Sequence, residues 1–317
     1  MREKTDQKIK KEGGKEPGNE SKSKVLIVLA WTAILIISMP RIVYRLLVPL
    51  TSGEPVLPKW LAWITVGCIA VLWLLTWLWK AIKPLRGFFL TLLAICVGWE
   101  IIHPFIGESA AWSDWLERQS WGVWLVAYIG IRLIISAFVA LTLFGSGIGC
   151  KELYLVRGEP NAEAKPSRLL HDIAKEHTPW TRVIGKWIPY FIIILLVVVG
   201  IQTRPNMSQV LQAVRFLPFI TAAAAINAFN EEFQFRSMIL ARTIYVVGSQ
   251  QAIYLSAVFF GLQHYFGSPG GIFGVLMAAY LGWISAKSMV ETKGFVWAFL
   301  IHFVGDFLIY VFWAMAE

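Results

Sequence analysis

The sequence predicts an all-α polytopic integral membrane protein with about eight or nine transmembrane helices. Hydrophobic residues make up 57% of its 317 residues and charged residues 15%, against roughly 45–50% and 25% in soluble domains. Sixteen Trp, nine Tyr and twenty Phe suit a protein with aromatic belts at two membrane interfaces. This composition argues against a soluble enzyme and against a disordered protein.

Apolar runs long enough to cross a bilayer, which takes about 20 residues, recur along the chain. Nine candidate spans lie at about 25–40, 60–79, 87–106, 121–144, 183–200, 210–230, 252–265, 272–290 and 295–314. The first is short and runs into Pro40, Arg41 and Arg45. Eight spans, with the first segment re-entrant or interfacial, is therefore the main alternative.

Lysine and arginine residues are divided unevenly between the two ends of these spans. With the N-terminus in the cytoplasm, 20 of them fall on the cytoplasmic side and 5 on the opposite side. Because positive residues concentrate in cytoplasmic loops, we expect a multi-pass protein of the cell membrane with a cytoplasmic N-terminus. The net charge of +9 is then a topology signal, and membrane lipid is the expected partner of the basic segments, with no nucleic acid.

The chain divides into three expected parts. Residues 1–24 are rich in Lys, Glu and Gly and should form a disordered basic cytoplasmic tail. Residues 25–182 should form an N-terminal transmembrane region of about four spans with interfacial loops, and residues 183–317 a second transmembrane core. Two linkers, 111–121 and 166–180, carry apolar residues at helical spacing and are expected to be interfacial helices or amphipathic connectors.

Charged side chains inside spans are functional candidates, because each costs about 2.5–3.5 kcal/mol at the bilayer centre. Three polar clusters lie within or at the ends of apolar helices in the C-terminal third, at residues 230–236, 260–264 and 302–306. We expect these clusters to converge, since a separate structural reason for each is the less economical explanation.

In the first cluster, Glu232 and Arg236 are four residues apart and can form an ion pair on a helix. Glu231 points about 100° away and has no partner within this helix. It is therefore free to face a cavity as a general base. A helix-end ion pair at the cytoplasmic interface is the structural alternative.

The other two clusters each place a histidine on a membrane helix. His264 shares a helix face with Phe260, and His302 shares one with Asp306. Asp306 could orient the imidazole of His302, or both side chains could line a cavity. A buried, satisfied histidine and a His–Asp pair that holds helices together are the structural alternatives.

A rival pair of polar residues, Glu100 and His103, lies in the third span. A Glu-x-x-His sequence is found in di-metal carboxylate sites, but those require a second copy and two further glutamates, and the sequence has no second copy. Arg132 in the fourth span could neutralise Glu100. We interpret Glu100 as part of a structural pair near the outer interface.

In chain order, the three clusters match E-E-x-x-x-R, F-x-x-x-H and H-x-x-x-(N/D). At these residues the sequence resembles the CPBP (Abi) family of intramembrane proteases, which includes the type II CAAX prenyl endopeptidases and bacteriocin-processing or self-immunity proteins. The resemblance covers about residues 183–317. It implies a CPBP-like catalytic core there, and an endopeptidase that cleaves membrane-associated substrates, CAAX-like or other, within or near the cytoplasmic leaflet.

The resemblance also implies roles for individual residues. Glu231 would activate water, with His264 helping to bind it. Glu232 and Arg236 would brace the site as an ion pair. His302 and Asp306 would lie where the family stabilises the oxyanion of the tetrahedral intermediate. Prenyl-protease members carry Asn at the last position, and an ionised carboxylate is a poor oxyanion donor, so Asp306 could instead orient His302.

Cofactor and partner expectations follow from the same resemblance. Glu231, His264 and His302 could hold a divalent ion such as zinc, whereas a glutamate-activated water without metal is the other family mechanism, and the sequence leaves both open. The expected partner is a peptide or lipidated membrane-protein substrate. The alternatives are a non-catalytic protein of the same fold, such as a self-immunity or scaffold protein, and a transporter, although transporters distribute polar residues over several helices.

Overall fold

The computed structural model describes residues 24–48, 57–170, 173–267 and 270–317. Within these ranges the protein is helical, and the only β pairing is an isolated bridge between Glu163 and Pro179. The predicted all-α class is confirmed. The basic tail expected over residues 1–24 lies, apart from Lys24, outside the described residues.

Fourteen α-helices occur in the described part of the chain. They are α1 (Lys24–Leu47), α2 (Lys59–Leu78), α3 (Arg86–Val97), α4 (His103–Gly107), α5 (Ala110–Glu117), α6 (Trp121–Gly130), α7 (Leu133–Gly145), α8 (Trp180–Thr203), α9 (Met207–Val214), α10 (Leu217–Glu232), α11 (Met238–Val247), α12 (Ser249–Gln263), α13 (Gly271–Thr292) and α14 (Val296–Ala314). Two π-helical segments, Gly98–Ile102 and Phe233–Ser237, connect α3 to α4 and α10 to α11.

Seven helical stretches among the described residues are long and apolar enough to cross a membrane, or eight if a bent pair counts as one span. That pair joins α9 to the continuous stretch Leu217–Val247 at an angle of 74°. The count of eight agrees with the predicted eight or nine spans. The seventh expected span, 252–265, is not among them, because α12 has 15 residues, or about 22 Å of helix, against a hydrocarbon core of about 30 Å. The first segment is an unbroken helix through Pro40, unlike the re-entrant alternative.

The sixth expected span, 210–230, is longer in the structure because helical geometry continues through Phe233–Ser237 and α11 to Val247. It ends at Gly248, whose φ of 93° is a conformation that glycine adopts without steric cost. The chain therefore reverses at once, and α12 runs back against α11 and the π-helical segment.

The loop that follows α7 docks onto the turn between α13 and α14. Glu159 N–H donates to the carbonyl of Thr292 at 2.7 Å, and Phe295 N–H donates to the carbonyl of Val156 at 2.9 Å. Residues 166–180 were expected to form an interfacial helix or an amphipathic connector. A helix is wrong for the described part, which has only a 3₁₀ turn at Arg168–Leu170 before α8 begins at Trp180. Leu170 and Trp180 are buried against the bundle, whereas Leu169 is exposed.

Helices from both halves of the chain surround the middle of the bundle. α10 packs against α6 and α14, whereas α12 packs against α1 and α13. The three polar clusters lie on α10 with its π-helical extension, on α12 and on α14. This packing brings them together and places α1 and α6 beside them.

Candidate active site

The three polar clusters meet at a cavity of about 330 Å³ that is lined by Glu231, His264 and Asp306, among others. Oε2 of Glu231 lies 3.9 Å from Nε2 of His264 and 3.4 Å from Nε2 of His302. His302 is almost fully buried, with 3% of its side chain exposed, whereas His264 is 28% exposed. These side chains therefore converge in the structure, as predicted.

Glu231 has partners that the sequence interpretation missed. The amide nitrogen of Asn227, four residues earlier on the same helix, donates to Oε1 of Glu231 at 3.1 Å, so the expectation of no partner within the helix was wrong. Nη1 of Arg132 lies 3.6 Å from the same oxygen. Oε2 is buried and has no hydrogen-bond partner in the described part of the chain. One carboxylate oxygen is therefore held in place, and the other faces the histidines.

His264 begins a 3₁₀ turn where α12 ends. Its Nδ1 lies 2.9 Å from the carbonyl oxygen of Phe260. Because a carbonyl only accepts hydrogen bonds, Nδ1 carries the proton in this contact. In the neutral ring, Nε2 is then an acceptor that faces Glu231.

His302 is surrounded by carboxylate oxygens. Its Nδ1 lies 2.7 Å from Oε1 of Glu232, and the proton of this hydrogen bond comes from the ring when the carboxylate is ionised. Nε2 lies 3.4 Å from Oε2 of Glu231 and 3.5 Å from Oδ2 of Asp306. Asp306 is thus within reach of the His302 ring, as the spacing of four residues predicted.

The expected pair between Glu232 and Arg236 is present, with 3.4 Å between Oε2 and Nε, and both side chains are fully buried. The guanidinium of Arg236 also lies 3.6 Å from the centroid of the Phe260 ring. A buried charge is tolerated only when it is paired, and the aromatic face adds a cation–π contact. Phe260 in turn contacts the rings of His264 and His302, so this ion pair supports both histidines.

The metal set Glu231, His264 and His302 stays a prediction. Among the described residues, no group of three or more His, Cys, Asp or Glu side chains is arranged to hold a metal ion. Oε2 of Glu231 nevertheless has no hydrogen-bond partner there and lies 3.9 Å and 3.4 Å from Nε2 of His264 and His302, so this donor set leaves both mechanisms open.

Glu100 in the third span does not pair with Arg132, which the sequence analysis had considered as its partner. Glu100 pairs with Arg41 of α1, and Arg132 instead donates from Nη1 to Oδ1 of Asn227 at 2.9 Å. Arg41, Glu100 and Arg132 all line the cavity. The pairing was mistaken because the register of one helix against another cannot be read from spacing within a single helix.

A chain of buried hydrogen bonds connects the N-terminal helices to the first cluster. Trp99 donates from Nε1 to Gln234 at 2.9 Å, Gln234 donates to Ser136 at 2.8 Å, and Ser136 donates to Asn230 at 2.7 Å. Asn230 and Gln234 were within the predicted cluster, but their partners carry no sequence signal beyond being polar groups in apolar helices.

The cavity extends from the carboxylates toward one end of the bundle. Arg41 near the end of α1, Gly267 after α12 and Trp313 near the end of α14 all line it. The side of the membrane on which the cavity opens stays a prediction, as does the cytoplasmic N-terminus.

A model of the type II CAAX prenyl endopeptidase Rce1-like family matches residues 213–308. The chain is related to the CPBP family. The matched region contains every residue of the three CPBP motifs, whereas Arg41, Glu100 and Arg132 lie outside it. Together with the apolar helices, the match supports a multi-pass membrane protein with a protease fold of the CAAX type. Comparisons with curated proteins and with solved structures found no match.

Proposed function

We propose that this protein is an intramembrane endopeptidase that hydrolyses a peptide bond of a membrane-associated substrate with a water molecule activated by Glu231. The observation that carries the proposal is the pair of acceptors at the cavity: Oε2 of Glu231 and Nε2 of His264, 3.9 Å apart. The CPBP relation supports the same reaction class.

The two acceptors cannot hydrogen-bond to each other when the carboxylate is ionised and His264 is neutral. A group with two hydrogens, located between them, can satisfy both. Water has this property, and 3.9 Å is short enough for one molecule to donate to both at about 2.8 Å. A water held in this way has its oxygen lone pairs directed away from the acceptors and toward the cavity.

Hydrolysis then follows ordinary acid–base chemistry. The water oxygen attacks the scissile carbonyl carbon, its proton moves to Glu231, and the carbonyl π electrons move onto oxygen to form a tetrahedral oxyanion. When the intermediate collapses, the C–N bond breaks and Glu231 returns the proton to the leaving amine. The products are a carboxylic acid and an amine, and Glu231 ends in its initial state.

We assign the residue roles as follows. Glu231 is the general base and His264 the second water ligand. His302 lies beside both Glu231 and Asp306 and holds the carboxylate of Glu231 in position. Glu232 and Arg236 contact His302 and Phe260 and hold these two rings in place. Residues 183–317 are the catalytic core on this proposal, and the region 25–182 completes the cavity wall.

The finer proposal is that a CAAX-like peptide, one that ends in a prenylated Cys-aliphatic-aliphatic-X sequence, is a substrate. The cavity is lined by both apolar and polar residues, among them Ile95, Phe259 and Trp313. An apolar wall suits the aliphatic residues of such a sequence. A transmembrane peptide without a prenyl group is the comparison that tests this.

The test is peptide cleavage by the purified protein in liposomes. A panel contains a farnesylated Cys-Val-Ile-Met peptide, the same peptide without farnesyl, and an apolar transmembrane peptide, with products identified by mass spectrometry. We expect the wild type to cleave both with and without a chelator. We expect Glu231→Ala and His264→Ala to have lost cleavage under both conditions. Equal activity of wild type and both variants, or no cleavage of any peptide, contradicts the proposal, and the second result favours a non-catalytic role or a transporter.

A further inference from the structure

The reaction proposed above needs a hydrogen-bond donor or a positive charge beside the carbonyl oxygen, since this oxygen becomes an anion in the transition state. At the two positions where the family stabilises the oxyanion, this chain carries His302 and Asp306. An ionised carboxylate only accepts hydrogen bonds. Oδ2 of Asp306 accepts from the amide nitrogen of Asn227, and in its ionised form Asp306 does not stabilise a second negative charge beside it.

The neighbouring donors are already engaged. The amide nitrogen of Asn227 donates to Oε1 of Glu231 and to Oδ2 of Asp306, both at 3.1 Å, which uses both of its hydrogens. Nδ1 of His302 faces Glu232 at 2.7 Å, and Nε2 of the same ring faces the carboxylates of Glu231 and Asp306 at 3.4 and 3.5 Å. Farther along the cavity, Arg41 is paired with Glu100.

Arg132 has donors to spare. A guanidinium has five N–H groups. Only Nη1 makes a hydrogen bond in the described part of the chain, to Oδ1 of Asn227 at 2.9 Å, and Nε is buried there without a partner. The residue lines the cavity and lies 3.6 Å from the carboxylate of Glu231.

Its position is also fixed. The guanidinium carbon lies 5.7 Å from the ring centroids of both Trp99 and Tyr128. With the hydrogen bond to Asn227, these two rings hold the side chain in place before any substrate binds. A charge positioned in advance requires no reorganisation during the reaction, which is the property that makes oxyanion stabilisation effective.

We infer that Arg132 is a further catalytic residue: its free N–H groups bind the oxyanion that forms when water adds to the scissile carbonyl. This inference rests on the proposed hydrolysis. Arg132 supplies from the N-terminal region, outside the family match at 213–308, the donor that Asp306 lacks. The charge of Arg132 also balances the carboxylate of Glu231 in the resting site.

The test compares Arg132→Met with the double variant that also carries Asp306→Asn, using the farnesylated Cys-Val-Ile-Met peptide. Loss of one oxyanion donor lowers kcat by about 100- to 1,000-fold, and we expect this for Arg132→Met with KM changed less than about threefold. Asn at position 306 restores a donor, so the double variant should recover at least about tenfold of the lost kcat. A purely structural role for Arg132 predicts no such recovery.

A second readout does not require turnover. Two uncleavable analogues of the peptide are compared by competition binding, one with a tetrahedral phosphonate at the scissile carbonyl and one with a ketomethylene group. The wild type should prefer the phosphonate, because it resembles the oxyanion intermediate, and Arg132→Met should lose most of that preference. If Arg132→Met does not fold, Arg132→Lys, which keeps a charge beside Glu231, takes its place, with at least a tenfold loss of the preference expected.

The outcomes separate the two proposals. An active wild type with an unchanged kcat and an unchanged analogue preference in the Arg132 variants overturns the oxyanion role and leaves the hydrolysis intact. A kcat loss in Arg132→Met that Asp306→Asn does not recover, with the analogue preference retained, also overturns it. A wild type that cleaves no peptide refutes the proposed function itself.

Discussion

Replacing Asn227 with leucine removes the amide that connects the two carboxylates at the cavity. Its amide nitrogen donates to Glu231 and Asp306, and its oxygen accepts from Arg132. Leucine has a similar volume and no polar atoms. The substitution therefore removes three contacts to charged groups without opening a large cavity.

The magnitude follows from the number and type of these contacts. A hydrogen bond to a charged group contributes about 1.5–3 kcal/mol, so three set an upper bound of about 5–9 kcal/mol. Removing one partner of a buried charge costs about 3–5 kcal/mol in practice, and we expect the free energy of unfolding to fall by that amount. Since a misplacement of about 1 Å in a catalytic group costs about 100-fold, kcat should fall at least that far.

The assay has two parts. Unfolding is followed in mixed micelles by tryptophan fluorescence, and cleavage of the panel peptide is followed in liposomes. Thr221→Val is the matched control on the same helix, because the exposed Thr221 hydroxyl donates only to the carbonyl of Leu217, one turn before it. We expect the control to stay within about 0.5 kcal/mol of the wild type and to retain its kcat.

An Asn227→Leu variant that unfolds within 1 kcal/mol of the wild type and cleaves within threefold of it refutes the reasoning. In that case the three contacts do not hold the carboxylates in place, and the geometry of Glu231 depends on other groups.

Two further predictions concern the contact between the loop after α7 and the turn between α13 and α14, and the orientation of the chain in the membrane. A Cβ added at Gly294 would clash with the carbonyl oxygen of Arg157, so Gly294→Ala should lower the free energy of unfolding by about 1–3 kcal/mol. The control is Gly130→Ala, whose added Cβ meets nothing within 4 Å and should not destabilise by the same mechanism. Equal effects of the two substitutions would contradict the contact between Gly294 and Arg157. With a cytoplasmic N-terminus, the native Cys150, which follows the fourth candidate span, should not react with an impermeant thiol reagent applied to intact cells, and labelling of Cys150 would show that the orientation is reversed.

The sequence predicts well those features that depend on composition or on spacing within one helix. The all-α membrane class and the pair Glu232–Arg236 are of this kind, because hydropathy and a four-residue spacing report them directly. The convergence of His264 and His302 on Glu231 followed from the high cost of polar groups in lipid. The first two predictions depend on local chemistry and not on how the helices pack, whereas the convergence was inferred from an energetic cost without knowledge of the packing.

Features that depend on helix register were missed. Arg132 was assigned to Glu100, although the packing of α6 against α10 brings it to Asn227 and Glu231. Asn227 itself lies in an alanine-rich helix and carries no charge, so only its spacing of four residues from Glu231 could have identified it. The π-helical segment after Glu232 likewise has no sequence marker, and the sixth span was ended too early for that reason.

The central claim is that Glu231 is the base that activates water, and comparison of Glu231→Gln with Glu100→Gln tests it most directly. Both glutamates line the same cavity and both have an arginine neighbour, but the Glu231 carboxylate is the one that faces His264. In single-turnover cleavage of the farnesylated peptide, we expect Glu231→Gln to be slower than the wild type by about 100- to 10,000-fold and Glu100→Gln by less than about tenfold. A Glu231→Gln rate within threefold of the wild type, or equal losses in the two variants, would contradict the account.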